Sequence, residues 1–175
     1  MSKNAPRWLA VALAGPAVQG AILGLREGPR AMLAFALGLP VIVAAVTLLT
    51  TPTLYVGGAV FGGRLSLGQV AAGTARALHA LGLALLGLAP LSLLLNSTFA
   101  LAPDDRFAWP LMGLVVVGLM IALHRLAGEL DEVAGVTGGR RVAWHLLFAG
   151  HTAIAFVLAA RLFTDLARFC DKVAS

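Results

Sequence analysis

The chain has 175 residues, 59% of them hydrophobic and 12% charged, with a mean hydropathy of +0.91. A soluble domain carries roughly twice that charge, so too little polar surface is available to cover a water-facing globule, and the composition argues for lipid as the solvent. The formal net charge is +5, but the cations are scattered between apolar runs with no aromatic interleaving, which argues against nucleic acid and for anionic headgroups as their partners.

Cys170 is the single cysteine, so an intramolecular disulfide is excluded. Arginine outnumbers lysine by 11 to 2, and Ala, Leu and Gly dominate. That bias suits a GC-rich bacterial genome, so the expected location is a bacterial inner membrane. The sequon Asn96-Ser97-Thr98 is then read as chance.

Charges punctuate the chain into candidate spans, each needing about 20 helical residues. The first, "WLAVALAGPAVQGAILGL" at 8–25, contains Pro16 and Gln19 and is flanked by Arg7, Arg26 and Arg30. A signal peptide fits poorly, because Ala12-Leu13-Ala14 as a cleavage site leaves an apolar core of only about six residues. This segment either spans or lies at the interface.

The next uncharged run, 31–63, would be about 50 Å long as one helix. Pro40 and Pro52, the latter in "TTPTL", are expected to bend it, with Thr50 and Thr51 bonding carbonyls that the bend frees. It reads as one long bent span ending in Gly57-Gly58 and Gly62-Gly63. A second span runs from near Val70 past Pro90 to about Ser97. A third runs from Trp109 to Leu126, and a fourth from Val142 to about Thr164, with Trp144 near its start.

Between the third and fourth spans lies "GELDEVAGVTGGRR", read as the one long polar loop. It holds Glu129, Asp131, Glu132, Arg140 and Arg141, and it is the expected contact for an extramembrane partner. The fold expected is an all-α integral membrane bundle of four clear transmembrane helices plus an N-terminal interfacial, or fifth, helix. Residues 1–30 form the N-terminal segment, 31–168 the bundle and 169–175 a short tail.

With four spans the cations divide 8 to 5 between the two faces, and both termini are expected in the cytoplasm. If 8–25 also spans, the division is 7 to 6 and the bias vanishes.

Small residues supply the packing signal. Gly20-x-x-x-Gly24 and Gly58-x-x-x-Gly62 fit the pattern that lets helices approach closely in lipid, with Gly113 and Gly118 along the third span. The contacts implied lie within one chain or with a partner.

The polar residues inside spans are the site candidates. His79 and His151 sit about nine residues, or roughly 14 Å, into their spans, and His124 and His145 about three residues, or roughly 5 Å. All four fall in one half of the bilayer. Paired imidazoles on neighbouring helices can ligate haem or a transition metal, whereas buried histidines also simply bond backbone carbonyls. Arg76 and His79 share one helical face. That stripe should turn inward, since an unpaired cation in lipid costs roughly 2.5–3.5 kcal/mol or more, and it is expected to pack against the fourth span near His151.

"LYVGGAVFGGRLSLGQV", "ALGLALLGLAPL" and "WPLMGLVVVGLMIALHRLAG" follow one another as a span ending in a Gly/Ser turn, a span with Ala-Pro, and a Gly-rich span ending in histidine. This order, over residues 31–165, resembles the Yip-type membrane proteins and their bacterial relatives. The resemblance implies a bundle that usually has five spans, and it supplies no catalytic residues.

No nucleotide loop, zincin motif or nucleophile elbow is present. The first expectation is a non-enzymatic scaffold or accessory subunit of a membrane complex, with no cofactor. Its partners would be membrane lipids, other subunits or a second copy of the chain. The alternatives are a redox protein binding haem or metal through its histidines, and a component of a small-solute or lipid transporter.

Overall fold

In the computed structural model the described residues are 5–60, 65–99, 108–134 and 139–174, with side chains described for 7–60, 65–98, 113–131 and 141–170. They form five helices: α1 (Ala5–Gly24), α2 (Pro29–Val60), α3 (Leu67–Phe99), α4 (Ala108–Ala134) and α5 (Gly139–Ala174). The chain is all-α as expected, and each helix contains a stretch long and apolar enough to cross a membrane. The outer surface is correspondingly apolar, with Leu33, Leu37, Val41, Leu48, Leu146 and Val157 all exposed.

The first connection is tight. Gly28 takes a φ of +107°, which glycine adopts without a Cβ penalty. Its carbonyl accepts the Met32 N–H, and Pro29 occupies the first helical position, where its missing donor costs nothing. The start of α3 is fixed by a reciprocal cap. The Gln69 N–H donates to Ser66 Oγ, and the Ser66 N–H donates back to Gln69 Oε1.

The run at 31–63 is a single helix through Val60, as expected. Thr47, Thr50 and Thr51 donate to the carbonyls of Val43, Val46 and Thr47. Pro52 leaves the Leu48 carbonyl without its usual donor, so these hydroxyls bond the turn before that gap rather than the freed carbonyl itself.

The helices pack in the sequence α5–α2–α1–α3–α4, with lighter contacts of α2 with α3 and of α1 with α4. Thus α1 is wedged between α2 and α3. A Cβ on Gly15 would collide with the Gly82 backbone, and one on Gly82 with the backbone of Val11 and Ala12. Gly20 and Gly24, one of the expected close-packing pairs, meet the backbone of Phe35 and of Ala31–Met32. Gly58 faces the Leu65 side chain, Gly118 faces Leu85, and Gly113 faces open space. Gly62 lies outside the described residues.

Polar side chains complete the α1–α3 seam. Gln19 Nε2 donates to the Leu85 carbonyl, Ser92 Oγ donates to Gln19 Oε1, and Asn96 Nδ2 donates to the Ile22 carbonyl. Pro16 and Gln19, which made this segment ambiguous in sequence, are both fully buried in that packing. Asn96 is buried too, so the chance sequon is part of a helix interface.

These contacts fix the register. α1 runs parallel to α3, from Trp8 beside His79 to Ile22 beside Asn96. His79 lies 12 residues after Leu67, so α3 projects about 18 Å beyond the level of Trp8 at 1.5 Å per residue. The neighbouring ends of α2, α4 and α5 project with it, since Gly73 meets Leu126 and Leu130, and Gly57 meets Leu147.

One expectation is corrected here. The stretch "GELDEVAGVTGGRR" is not a long loop: Glu129, Asp131 and Glu132 lie in the last turns of α4, and Arg140 and Arg141 in the first turn of α5. Charge marks a departure from lipid, not a break in helix. Glu, Leu, Asp and Ala are all tolerated in helices, and residues 135–138 lie outside the described residues.

Candidate functional site

A cavity of about 170 Å³ lies between α2, α3, α4 and α5. α4 and α5 do not pack closely against each other, so the cavity is flanked by two helix pairs held apart by the rest of the bundle. Its walls are almost wholly apolar and include Ile42, Leu81, Leu85, Val115, Ala155 and Phe163. They arise from the inward stripes of long helices whose side chains are mostly Leu, Val and Ala, too small to fill the space between four helices.

The cavity is elongated. On α5 it is lined from His151 to Phe163, which is about 18 Å of helix, and on α2 from Leu39 to Leu54, about 22 Å. One end is sealed by an apolar plug of Leu54, Val70, Leu126, Leu130 and Trp144, with Leu147 and Phe148 packed on it.

Among the described residues five polar ones line the cavity, Thr47 midway along the α2 wall and the other four beneath that plug. Thr50, Thr51, Thr74 and His151 all line the cavity, and the helix register puts them at one end. Thr50 and Thr51 have spent their hydroxyl protons on α2 carbonyls. The Thr74 hydroxyl and His151 Nδ1 are buried with no hydrogen-bond partner among the described residues. His151 is 5% exposed, and its ring lies 5.9 Å from that of Phe148. Two unpaired polar atoms at the end of one apolar cavity are the molecule's clearest chemical anomaly, because buried polar groups are ordinarily paired.

The other candidate residues are placed as follows. Arg76 does not turn toward His151: its Nε lies 2.6 Å from Glu129 Oε2 on α4. His79 stacks on Trp8 of α1, with ring centroids 4.8 Å apart, and its Nδ1 lies 3.4 Å from the Trp8 carbonyl oxygen. The expected packing of this face against the fourth span is thus replaced by contacts to α4 and α1. Two features unseen in sequence cause this: α4 continues through the acidic stretch and brings Glu129 within reach, and α1 occupies the groove beside His79.

His124 and His145 are exposed. The four histidines are therefore not brought together, and among the described residues no three His, Cys, Asp or Glu side chains are grouped to hold a metal ion. Arg141 Nη2 lies 3.3 Å from Asp131 Oδ2, which ties the end of α4 to the start of α5. The side chains of Glu132 and Arg140 lie outside the described residues.

Sequence reasoning found His151 but missed Thr74. A threonine in an apolar helix gives little signal, because its hydroxyl is usually absorbed by the carbonyl four residues back. Only the register of α2, α3 and α5 reveals that it shares a cavity with an imidazole.

Compared with protein-family models, curated proteins and solved structures, the chain matches none.

Proposed function

We propose that this chain is a non-enzymatic, five-span integral membrane protein that holds a small apolar molecule inside its bundle, as a component of a lipid- or solute-handling system. The observation that carries this reading is the cavity between α2, α3, α4 and α5, apolar along its length and capped by unpaired Thr74 and His151. A scaffold has no need of an interior space with unsatisfied polar groups, and each such group costs about 1–3 kcal/mol.

The bilayer assignment rests on the exposed leucines and valines and on α1. Arg7–Gly24 rises about 26 Å, close to the roughly 30 Å of a hydrocarbon core. With α1 as a crossing, Trp8, His79 and His124 lie near one interface, where amphipathic rings are favoured. The Arg76–Glu129 and Asp131–Arg141 pairs then sit on helix ends that project past it. Five crossings put the two ends of the chain on opposite faces, in place of the same-side arrangement that the cation count favours for four. The Arg-rich, Ala- and Leu-rich composition supports a bacterial inner membrane, and the likeness to Yip-type proteins is compatible with a five-span, non-catalytic bundle.

A second reading, an accessory subunit or scaffold, is favoured by one feature. Arg161, Asp165 and Arg168 form an exposed charged row on α5, continuing the apolar stripe through Ile154 and Val157. Charges there need a water-filled or protein neighbour.

The test of the first reading is a cavity-filling change. Ala155→Phe places an aromatic ring in the space without touching the α1–α3 seam. In proteoliposomes, photolabelling of the α2 and α5 lining by a diazirine-bearing hydrocarbon should be strong in the natural protein and lost in the variant. Labelling confined to outward residues in both would remove the reading.

A further inference from the structure

We infer that the cavity takes a single-chain, uncharged amphiphile, one hydrocarbon or isoprenoid chain ending in a hydroxyl or carbonyl, with that head between Thr74 and His151. The inference rests on the cavity-binding reading above and gives the ligand a chemical class and a direction.

Size limits the occupant to one chain. A cavity of about 150 Å³ holds a molecule the size of benzene, so this one, of about 170 Å³, takes in the head and roughly the first half-dozen carbons of one chain, the remainder passing out between α4 and α5 into lipid. The two acyl chains of a phospholipid do not fit such a volume. Length without width suits an extended chain.

Charge limits the head. No Asp, Glu, Lys or Arg lines the cavity. The nearest ion pair, Arg76–Glu129, is already closed on itself and, though at the height of Thr74, is not among the cavity's lining residues. A carboxylate or phosphate would enter with no counter-charge, at a cost that excludes it. A hydroxyl or carbonyl needs only hydrogen bonds. The Thr74 hydroxyl can donate or accept, and so can the His151 Nδ1 according to its tautomer. A ligand carbonyl would accept from both, and a ligand hydroxyl would accept from one and donate to the other. Either satisfies two of the three buried side-chain atoms that lack partners among the described residues, the third being Asn96 Oδ1 in the α1–α3 seam.

Direction follows from the same placement. The polar pair lies at the plugged end, with Thr74 about 7.5 Å outward of the level of Trp8, and the apolar walls continue from there toward Leu39, Leu85 and Phe163. The chain therefore leaves the head toward the opposite end of the bundle for its first few carbons. Because α4 and α5 do not pack closely, the route of entry is sideways from the surrounding lipid.

The experiment uses the full chain in phosphatidylcholine proteoliposomes and two photoprobes, a diazirine-bearing hexadecanol and the same chain without its hydroxyl. The alcohol should label the α2 and α5 lining roughly tenfold more efficiently than the bare chain. A diazirine near the hydroxyl should map beside Thr74 and His151, and one near the chain end to residues of α4 and α5 that border the lipid. Thr74→Val, which keeps shape, and His151→Leu should each cut labelling by the alcohol several-fold and leave labelling by the bare chain unchanged. Competition on the natural protein gives a readout that needs no variant: unlabelled hexadecanol should displace the probe, and ionised palmitate should not. Equal cavity labelling by both probes, or equal displacement by palmitate, overturns this inference and spares the cavity-binding reading. Absence of cavity labelling by either probe overturns both.

Discussion

Thr74 on α3 and His151 on α5 line the same apolar cavity, and neither the threonine hydroxyl nor the imidazole Nδ1 has a hydrogen-bond partner among the described residues. An unsatisfied buried donor or acceptor costs about 1–3 kcal/mol, whereas an apolar isostere costs little. His151→Leu should therefore raise the stability of ligand-free protein by about 1 kcal/mol, read as a higher midpoint in detergent unfolding. A drop of similar size would mean that the imidazole holds the fold together.

The α1–α3 seam depends on backbone contact, so the glycines there should be intolerant of even one methyl group. Gly82→Ala drives a Cβ into the backbone of Val11 and Ala12 and should cost about 1–3 kcal/mol, the scale of overpacking. Gly87→Ala, on the same helix with open space before it, should be neutral or stabilising by roughly 0.5–1 kcal/mol, since Gly is the poorer helix former. Equal effects at the two sites would show that the seam is looser than described.

Gln19 and Ser92 bridge the same seam at 2.8 Å. Interhelical hydrogen bonds in membrane bundles average about 0.6 kcal/mol in double-mutant cycles. A cycle built from Gln19→Leu and Ser92→Ala should return a coupling of that size. Strict additivity would separate the two side chains.

Arg76 and Glu129 give a test of depth. On helix ends that project beyond the interface, their pair is solvated, so Glu129→Gln should cost less than about 1 kcal/mol, and the difference should shrink in high salt. Were the pair within the apolar layer, leaving Arg76 unpaired would cost roughly 2.5–3.5 kcal/mol or more, with little salt dependence.

Much of the architecture was legible in sequence, because uncharged runs of membrane length have few other solutions. The starts of α3 and α4 and the continuity of α2 follow from that pattern. What misled was charge taken as a helix terminator: Glu129 and Asp131 are helical, and their helical placement is what gives Arg76 and Arg141 their partners. The first segment was ambiguous because Gln19 lowers its hydropathy, and that same residue is the bond that joins α1 to α3. His79 looked equivalent to His151 by depth alone. Only the position of α1 separates them, giving one histidine a tryptophan and leaving the other facing a cavity.

The account stands most directly on α1 as a full crossing, because that sets the level of Trp8, the projecting ion pairs and the polar end of the cavity. Its measurement is the sidedness of the two ends. Single cysteines placed before α1 and after α5, in a chain carrying Cys170→Ser, are labelled with a membrane-impermeant maleimide in intact and in opened membrane vesicles. The account predicts that one end is labelled in sealed vesicles and the other only after opening. Labelling of both ends under the same condition would mean that α1 does not cross, and would contradict it.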